Sequence, residues 1–293
     1  IDCNFGLNLL GHQSVTIRQD SFITTYTAVL ADKRVTLAPS YVIEENYVEA
    51  NVGIRVISDD PNISVVSIGD NEIQVIPSEE FAYGIDLDGI GTSYSIGGTA
   101  FNTITVNSQN ADTSVAGIRV LNATDTCAIL NNTIDCYGYA SGVWLFKNLM
   151  QPNEQHLRLS NLTITHRDAA VSDAAFYQPW GVRPPTADTT FNFSLPSECF
   201  FKMVNCTIGG EDASKKFKTG VMLRDSSSAD QVNAILSDVE GEVSEQGDNF
   251  IQNCNIGINA YLDARVVARG NQIENNDRSE EHTSELQSRG LIS

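Results

Sequence analysis

Apolar residues in this chain alternate with polar ones over short runs, and the runs themselves recur. Glycine opens one set: Gly53-Ile-Arg-Val56, Gly84-Ile-Asp-Leu87, Gly117-Ile-Arg-Val120, Gly142-Val-Trp-Leu145, Gly220-Val-Met-Leu223 and, more loosely, Gly257-Ile-Asn-Ala260. The first and third residues after each glycine are apolar, and on a period-two strand both fall on one face. That face is predicted to be buried. A second set reads X-x-Ile and starts at Asn71, Asn102, Asn132, Leu162, Cys206, Asn233, Cys254 and Asn271. Its first four starts are 31, 30 and 30 residues apart. Periods of this size, carried by strands, predict a β-solenoid.

From each of the first four glycines to the next X-x-Ile start the chain runs 18, 18, 15 and 20 residues. Strands are therefore constant while the turns between them vary, as expected of coils wound around one axis. The glycine fits a corner that needs either positive φ or close backbone approach. Asparagine at X fits an internal ladder, each amide bonding to the next coil about 4.8 Å away.

Residues 1–50 are less regular. Val15-Thr-Ile17, Arg34-Val-Thr-Leu37 and Tyr41-Val-Ile43 alternate as strands do. Ser40 lies 31 residues before Asn71, so these residues read either as a cap or separate β segment or as the first coils. The β-helix proper is expected over 51–277. Residues 165–199 interrupt it, with four of the eight prolines and the aromatics Phe176, Tyr177, Trp180, Phe191 and Phe193. They are expected to form a long loop leaving a corner near Leu162, and the acidic stretch Ser237–Asn249 another. The last two X-x-Ile starts are only 17 residues apart, which leaves open two coils or two strands of one.

The Gly-Ile-x-Val/Leu series with its following Asn-x-Ile resembles right-handed parallel β-helix proteins of the pectate-lyase-like superfamily, over roughly residues 50–277. The resemblance implies an all-β fold, a right-handed parallel β-helix with long corner loops. It records stacking and leaves the chemistry to be argued from the site. Separately, Arg278–Ser288, RSEEHTSELQS, resembles a translated sequencing adapter over eleven positions. Residues 278–293 are accordingly set apart as a non-native tail. With a start at Ile-Asp-Cys, this suggests a metagenomic gene fragment or a processed form.

A formal net charge of −19 argues against binding nucleic acid through its phosphates. It suits an extracellular or cell-surface protein, or one that meets Ca²⁺. No apolar run reaches the roughly 18 residues of a membrane span. Six cysteines lack the C-x₂-C pairs of a zinc site. Cys206 and Cys254 read as small apolar members of one stack, and bridges Cys127–Cys136 or Cys199–Cys206 remain open. The Asn-x-Ser/Thr triplets at Asn62, Asn122, Asn131, Asn161, Asn192 and Asn205 have the form of glycosylation acceptors but read as by-products of the ladder.

Two positions past each glycine the outward residues are Arg55, Asp86, Arg119, Trp144, Met222 and Asn259; four past, they are Ile57, Asp88, Leu121, Phe146, Arg224 and Tyr261. Arg55, Asp86, Arg119 and Trp144 should therefore stack in line. One reading is a glycan-binding strip, with Tyr177 or Trp180 brought beside it by the 165–199 loop. The other is an exposed ion-pair ladder, with the loop aromatics forming a satellite core. Lyases of the resembled fold use acidic calcium ligands and an Arg or Lys base, which Asp86, Asp88 and Arg119 could supply. Its hydrolases use clustered aspartates and a Gly-His-Gly segment, which is absent here. His156, His166, Arg158 and Arg167 flank the Leu157–Ile164 strand and read as a solvated edge. There is no Gly-rich phosphate loop, HExxH or GxSxG.

The expectation is an extracellular, carbohydrate-associated β-helix of binding or structural type, such as a surface protein or a phage tail spike. Its partner would be a polysaccharide or surface glycan, and it could oligomerise. No nucleic acid, membrane span or cofactor other than calcium is expected. The alternative is a polysaccharide lyase or glycoside hydrolase acting on an acidic glycan.

Overall fold

The computed structural model describes residues 5–10, 14–32, 40–58, 64–78, 81–89, 92–99, 101–108, 114–121, 127–146, 157–168, 180–183, 198–224, 231–236, 249–261, 265–268 and 271–277. The tail, 278–293, lies outside them. The chain winds as a right-handed parallel β-helix. Among the described residues, three parallel sheets of nine strands each form, and every coil gives one strand to each sheet. Coil 4, for example, comprises Phe81–Gly89, Thr92–Gly97 and Thr103–Ser108.

In the first sheet Ile54, Ile85, Ile118 and Val143 pair in register, and all are fully buried. In the third sheet Ile73, Ile104, Ile134, Ile164, Ile208 and Ile251 do the same. Removing each such side chain from water stabilises the fold by about 1.5–3 kcal/mol before entropy is charged against it. The core is thus a set of parallel apolar columns.

The glycine column serves close approach. A Cβ on Gly84 would lie 2.6 Å from the Gly117 carbonyl oxygen and 2.6 Å from Cγ2 of Ile104. One on Gly117 would lie 2.5 Å from Cγ2 of Ile134. The missing side chain would point into the core, on the same side as the following isoleucine. Strict alternation therefore slips at the glycine, and the residue before it, Tyr83, is left on the outer face.

Residues 5–50 supply the first two coils of the same stack, with Leu7 paired to Val29 and Val29 to Ile54. The interruption at 165–199 contains a strand of its own, which corrects its reading as a plain loop. Trp180–Arg183 enters the first sheet as the seventh coil, with Val143 paired to Val182 and Val182 to Val221. Gly181-Val182 is a short copy of the glycine motif, obscured in sequence by the flanking prolines.

Two members of the X-x-Ile series are also reassigned. Asn233-Ala-Ile235 lies in the second sheet and Cys254-Asn-Ile256 in the first. The ladder member of the eighth coil is Asn249, since Thr207 pairs with Phe250 and Phe250 with Gln272. The starts at 254 and 271 are therefore two strands of one coil. Cys206 and Cys254 are both buried, but in different columns. Cys127, Cys136, Cys206 and Cys254 are free thiols, so neither suggested bridge forms.

Candidate glycan-binding face

The outer face of the first sheet carries the predicted strip. Asp86 pairs in register with Arg55 on one side and Arg119 on the other, and Arg119 with Trp144. The strip continues from Trp144 to Arg183 on the inserted strand. Although it points outward, Asp86 is only 1% exposed. Arg119 covers it with a two-pronged contact: Nε donates to Oδ1 at 2.7 Å and Nη2 to Oδ2 at 2.9 Å. From the other side Arg55 Nε approaches Oδ2 at 3.2 Å, as an ion pair without a hydrogen bond. Two guanidinium groups thus hold one desolvated carboxylate, the geometry in which such pairing is strongest.

The neighbouring outward position holds aromatic residues that the sequence reading missed. Tyr83, 2% exposed, packs with Val52 and Ala116, and Trp144 leans onto this group. The Arg119 guanidinium carbon sits 4.2 Å above the Tyr83 ring, and Nη1 donates to the Tyr83 hydroxyl at 3.3 Å. Trp144 lies 6.2 Å from Tyr83, between centroids, and Phe81 stacks on Tyr83 at 6.2 Å. Tyr26 continues the line at 6.4 Å from Phe81, and Phe5 follows at 6.0 Å from Tyr26. The clue in the sequence is Phe81-x-Tyr83 just before Gly84. Unbroken alternation would have turned both rings inward.

Electrostatics fix the roles. Burial alone would weaken the Arg119 cation, but Asp86, Tyr83 and Asp88 together raise its pKa above the ordinary arginine value. Burial is also the main reason the Tyr83 hydroxyl is pushed up. Arg119 therefore stays a cation, unsuited to serve as a base. Asp86 has both oxygens engaged, so a cation would have to displace two arginines to reach it. Among the described residues no group of three or more His, Cys, Asp or Glu is gathered to hold a metal.

Of the remaining candidates, Tyr177 lies outside the described residues, as does the Trp180 side chain. The Trp180 backbone pairs with Thr219, in the outer column that contains Tyr83, Ala116 and Ser141. His166 is not solvated: it is fully buried beside Phe217, with Nδ1 3.0 Å from the Asp168 carbonyl oxygen and Nε2 3.0 Å from that of Gly138. Period two places it inward after Ile164, in register with Cys136. Arg167 is engaged too, donating to Asp135 and Glu211 at 2.9 Å each. His156 lies outside the described residues. No helix among the described residues is long and apolar enough to cross a membrane.

No family model, curated protein or solved structure matches the chain.

Proposed function

We propose that this chain is an extracellular carbohydrate-binding β-helix, of the pectate-lyase-like kind in architecture and non-catalytic at this face. The observation that carries the reading is the joint placement of Arg119, Tyr83 and Trp144. An arginine fixed 4.2 Å over the buried Tyr83 ring, with the half-buried Trp144 ring 6.2 Å from it, sets a rigid apolar face beside a charged hydrogen-bonding group. Sugars present both apolar ring faces and hydroxyls, and such mixed, preorganised surfaces suit them. The net charge of −19 favours a soluble surface protein, and a bacterial surface protein or a phage tail spike both fit.

The lyase alternative is weakened by the same geometry. Its base would have to be Arg119, which Asp86 holds as a cation, and its calcium ligand would have to be Asp86, which two arginines occupy. Glycan-array binding by the wild type, compared with Trp144→Ala and Trp180→Ala, tests the reading. Loss of binding by folded Trp144→Ala is expected. If both variants fold and bind every ligand as the wild type does, the face is structural. Calcium-dependent release of unsaturated sugars from an acidic glycan would instead restore the lyase.

A further inference from the structure

We infer that the ligand of this face is an extended, uncharged glycan lying along the coil axis, an inference that rests on the glycan-binding reading above. The rings of Phe5, Tyr26, Phe81, Tyr83 and Trp144 form one track, each within 6.4 Å of the next between centroids. Phe5 belongs to the first coil and Trp144 to the sixth, so the track crosses six coils, with one sideways step, Phe81 to Tyr83, along a single strand. That is too long for one terminal sugar and suits an internal segment of a polymer. The direction follows from residue size. Val52 and Ala116 occupy the Tyr83 column on the coils to either side, and Ala116 is small enough for Trp144 to reach across it to Tyr83.

Exposure divides the labour. Phe5 is 43% and Phe81 36% exposed, and Tyr26 and Trp144 are half-buried, so these rings offer faces to a ligand. Tyr83, buried, acts as a floor that Arg119 and Trp144 are held against. Aligned exposed rings on an otherwise polar protein mark a binding groove more often than scattered single ones do.

Charge decides the ligand class. Among the strip residues whose side chains are described, Arg55 and Arg119 balance Asp86 and Asp88 formally, and these two arginines already face Asp86. A uronate carboxylate would have to compete with Asp86 for them, within the field of a chain carrying −19. Sugar hydroxyls need no such exchange: a neutral chain can lie against the exposed rings and leave both ion pairs to Asp86 intact.

The test is calorimetric titration of the full chain with neutral β-1,4-linked glucose and mannose oligomers, from dimer to hexamer, and with galacturonate oligomers of matching length. A neutral hexamer is expected to bind at least about tenfold more tightly than the dimer, and Phe5→Ala and Phe81→Ala should each weaken the hexamer by about fivefold. Melting curves confirm that the variants fold, and Phe5→Ala is the safer because its ring is the more exposed. If the hexamer binds no better than the dimer and ignores both substitutions, the track is wrong while glycan binding stands. Tighter binding of galacturonates would overturn the uncharged class. If no oligomer binds and the array is also blank, the glycan reading itself falls.

Discussion

Asn102 shows how one side chain can close a corner. Its Oδ1 accepts from the Asn71 backbone N at 3.1 Å and from Asn71 Nδ2 at 2.9 Å. Its Nδ2 donates to the Ile68 carbonyl at 3.0 Å and to Asn132 Oδ1 at 2.8 Å. Where the same position is Cys206, the thiol donates to the carbonyl two residues back, Val204, a bond that Asn71 and Asn132 also make to Gly69 and Leu130. Burial pushes the thiols of Cys127, Cys206 and Cys254 up to about 12, and that of Cys136 higher still. Since the thiolate is the nucleophile, all four should resist alkylation in the native protein at pH 8 and react in denaturant. Peptide mapping reads this site by site. Native labelling of Cys127 or Cys136 would show that the second- and third-sheet columns are open. The asparagine ladder was legible because its amides recur at the coil period. The confusion of Cys206 with Cys254 has a local cause: each follows an asparagine at positive φ, 52° at Asn205 and 50° at Asn253. Each thiol also bonds to the carbonyl two residues back. Two different corners thus share one short motif, and only long-range register separates them.

At the scale of the strand, glycine decides which face each neighbour takes. In the third sheet alternation runs without a break, so its columns followed from sequence directly. In the first sheet the residues after each glycine were legible and those before it were not, because the strand turns in at the glycine and keeps Tyr83 outside. The half of the site formed by Arg55, Asp86, Arg119 and Trp144 was therefore visible, while the aromatic half was hidden. Gly84→Ala tests this account. The new methyl would meet the Gly117 carbonyl oxygen and Ile104 Cγ2, each at 2.6 Å, and one contact is backbone that cannot swing away. Overpacking of this kind costs about 1–3 kcal/mol. A lower melting temperature is expected, together with weaker glycan binding, because Tyr83 is the adjacent residue. An unchanged melting temperature would mean that the column has room and that the glycine is there for another reason.

Across the whole molecule the amide ladder changes column without losing continuity. The buried column links the second to the fifth coil through Asn46, Asn71, Asn102 and Asn132. It then carries Leu162 and Cys206, which cannot continue an amide chain. At that point the preceding residue takes over: Asn161 Nδ2 donates to Asn131 Oδ1 at 2.8 Å, and Asn205 Nδ2 to Asn161 Oδ1 at 2.6 Å. The buried column resumes where Asn249 Oδ1 accepts from the Cys206 backbone N at 3.0 Å and Asn249 Nδ2 donates to Asn271 at 2.8 Å. This also explains three of the Asn-x-Thr triplets. Asn131, Asn161 and Asn205 occupy the left-handed corner, and Thr133, Thr163 and Thr207 each open the next strand. In a stack whose coils touch only their neighbours, stability is a sum of coil and junction terms. Asn161→Gly should therefore weaken the fifth-to-seventh-coil junctions selectively. Glycine tolerates the 54° φ of this corner, so the substitution removes the two side-chain bonds without adding backbone strain. The bonds are solvent-exposed, so the loss should be only about 1 kcal/mol. Native-state hydrogen exchange gives the deciding readout, because it resolves the junctions individually. Protection should fall in the strands Leu157–Ser160, Thr163–His166 and Thr207–Gly210 while Glu72–Val75 and Thr103–Ser108 keep theirs. Uniform loss across all coils would show that the stack unfolds as one unit, whereas no loss in any coil would show that the exposed asparagines do not couple these coils.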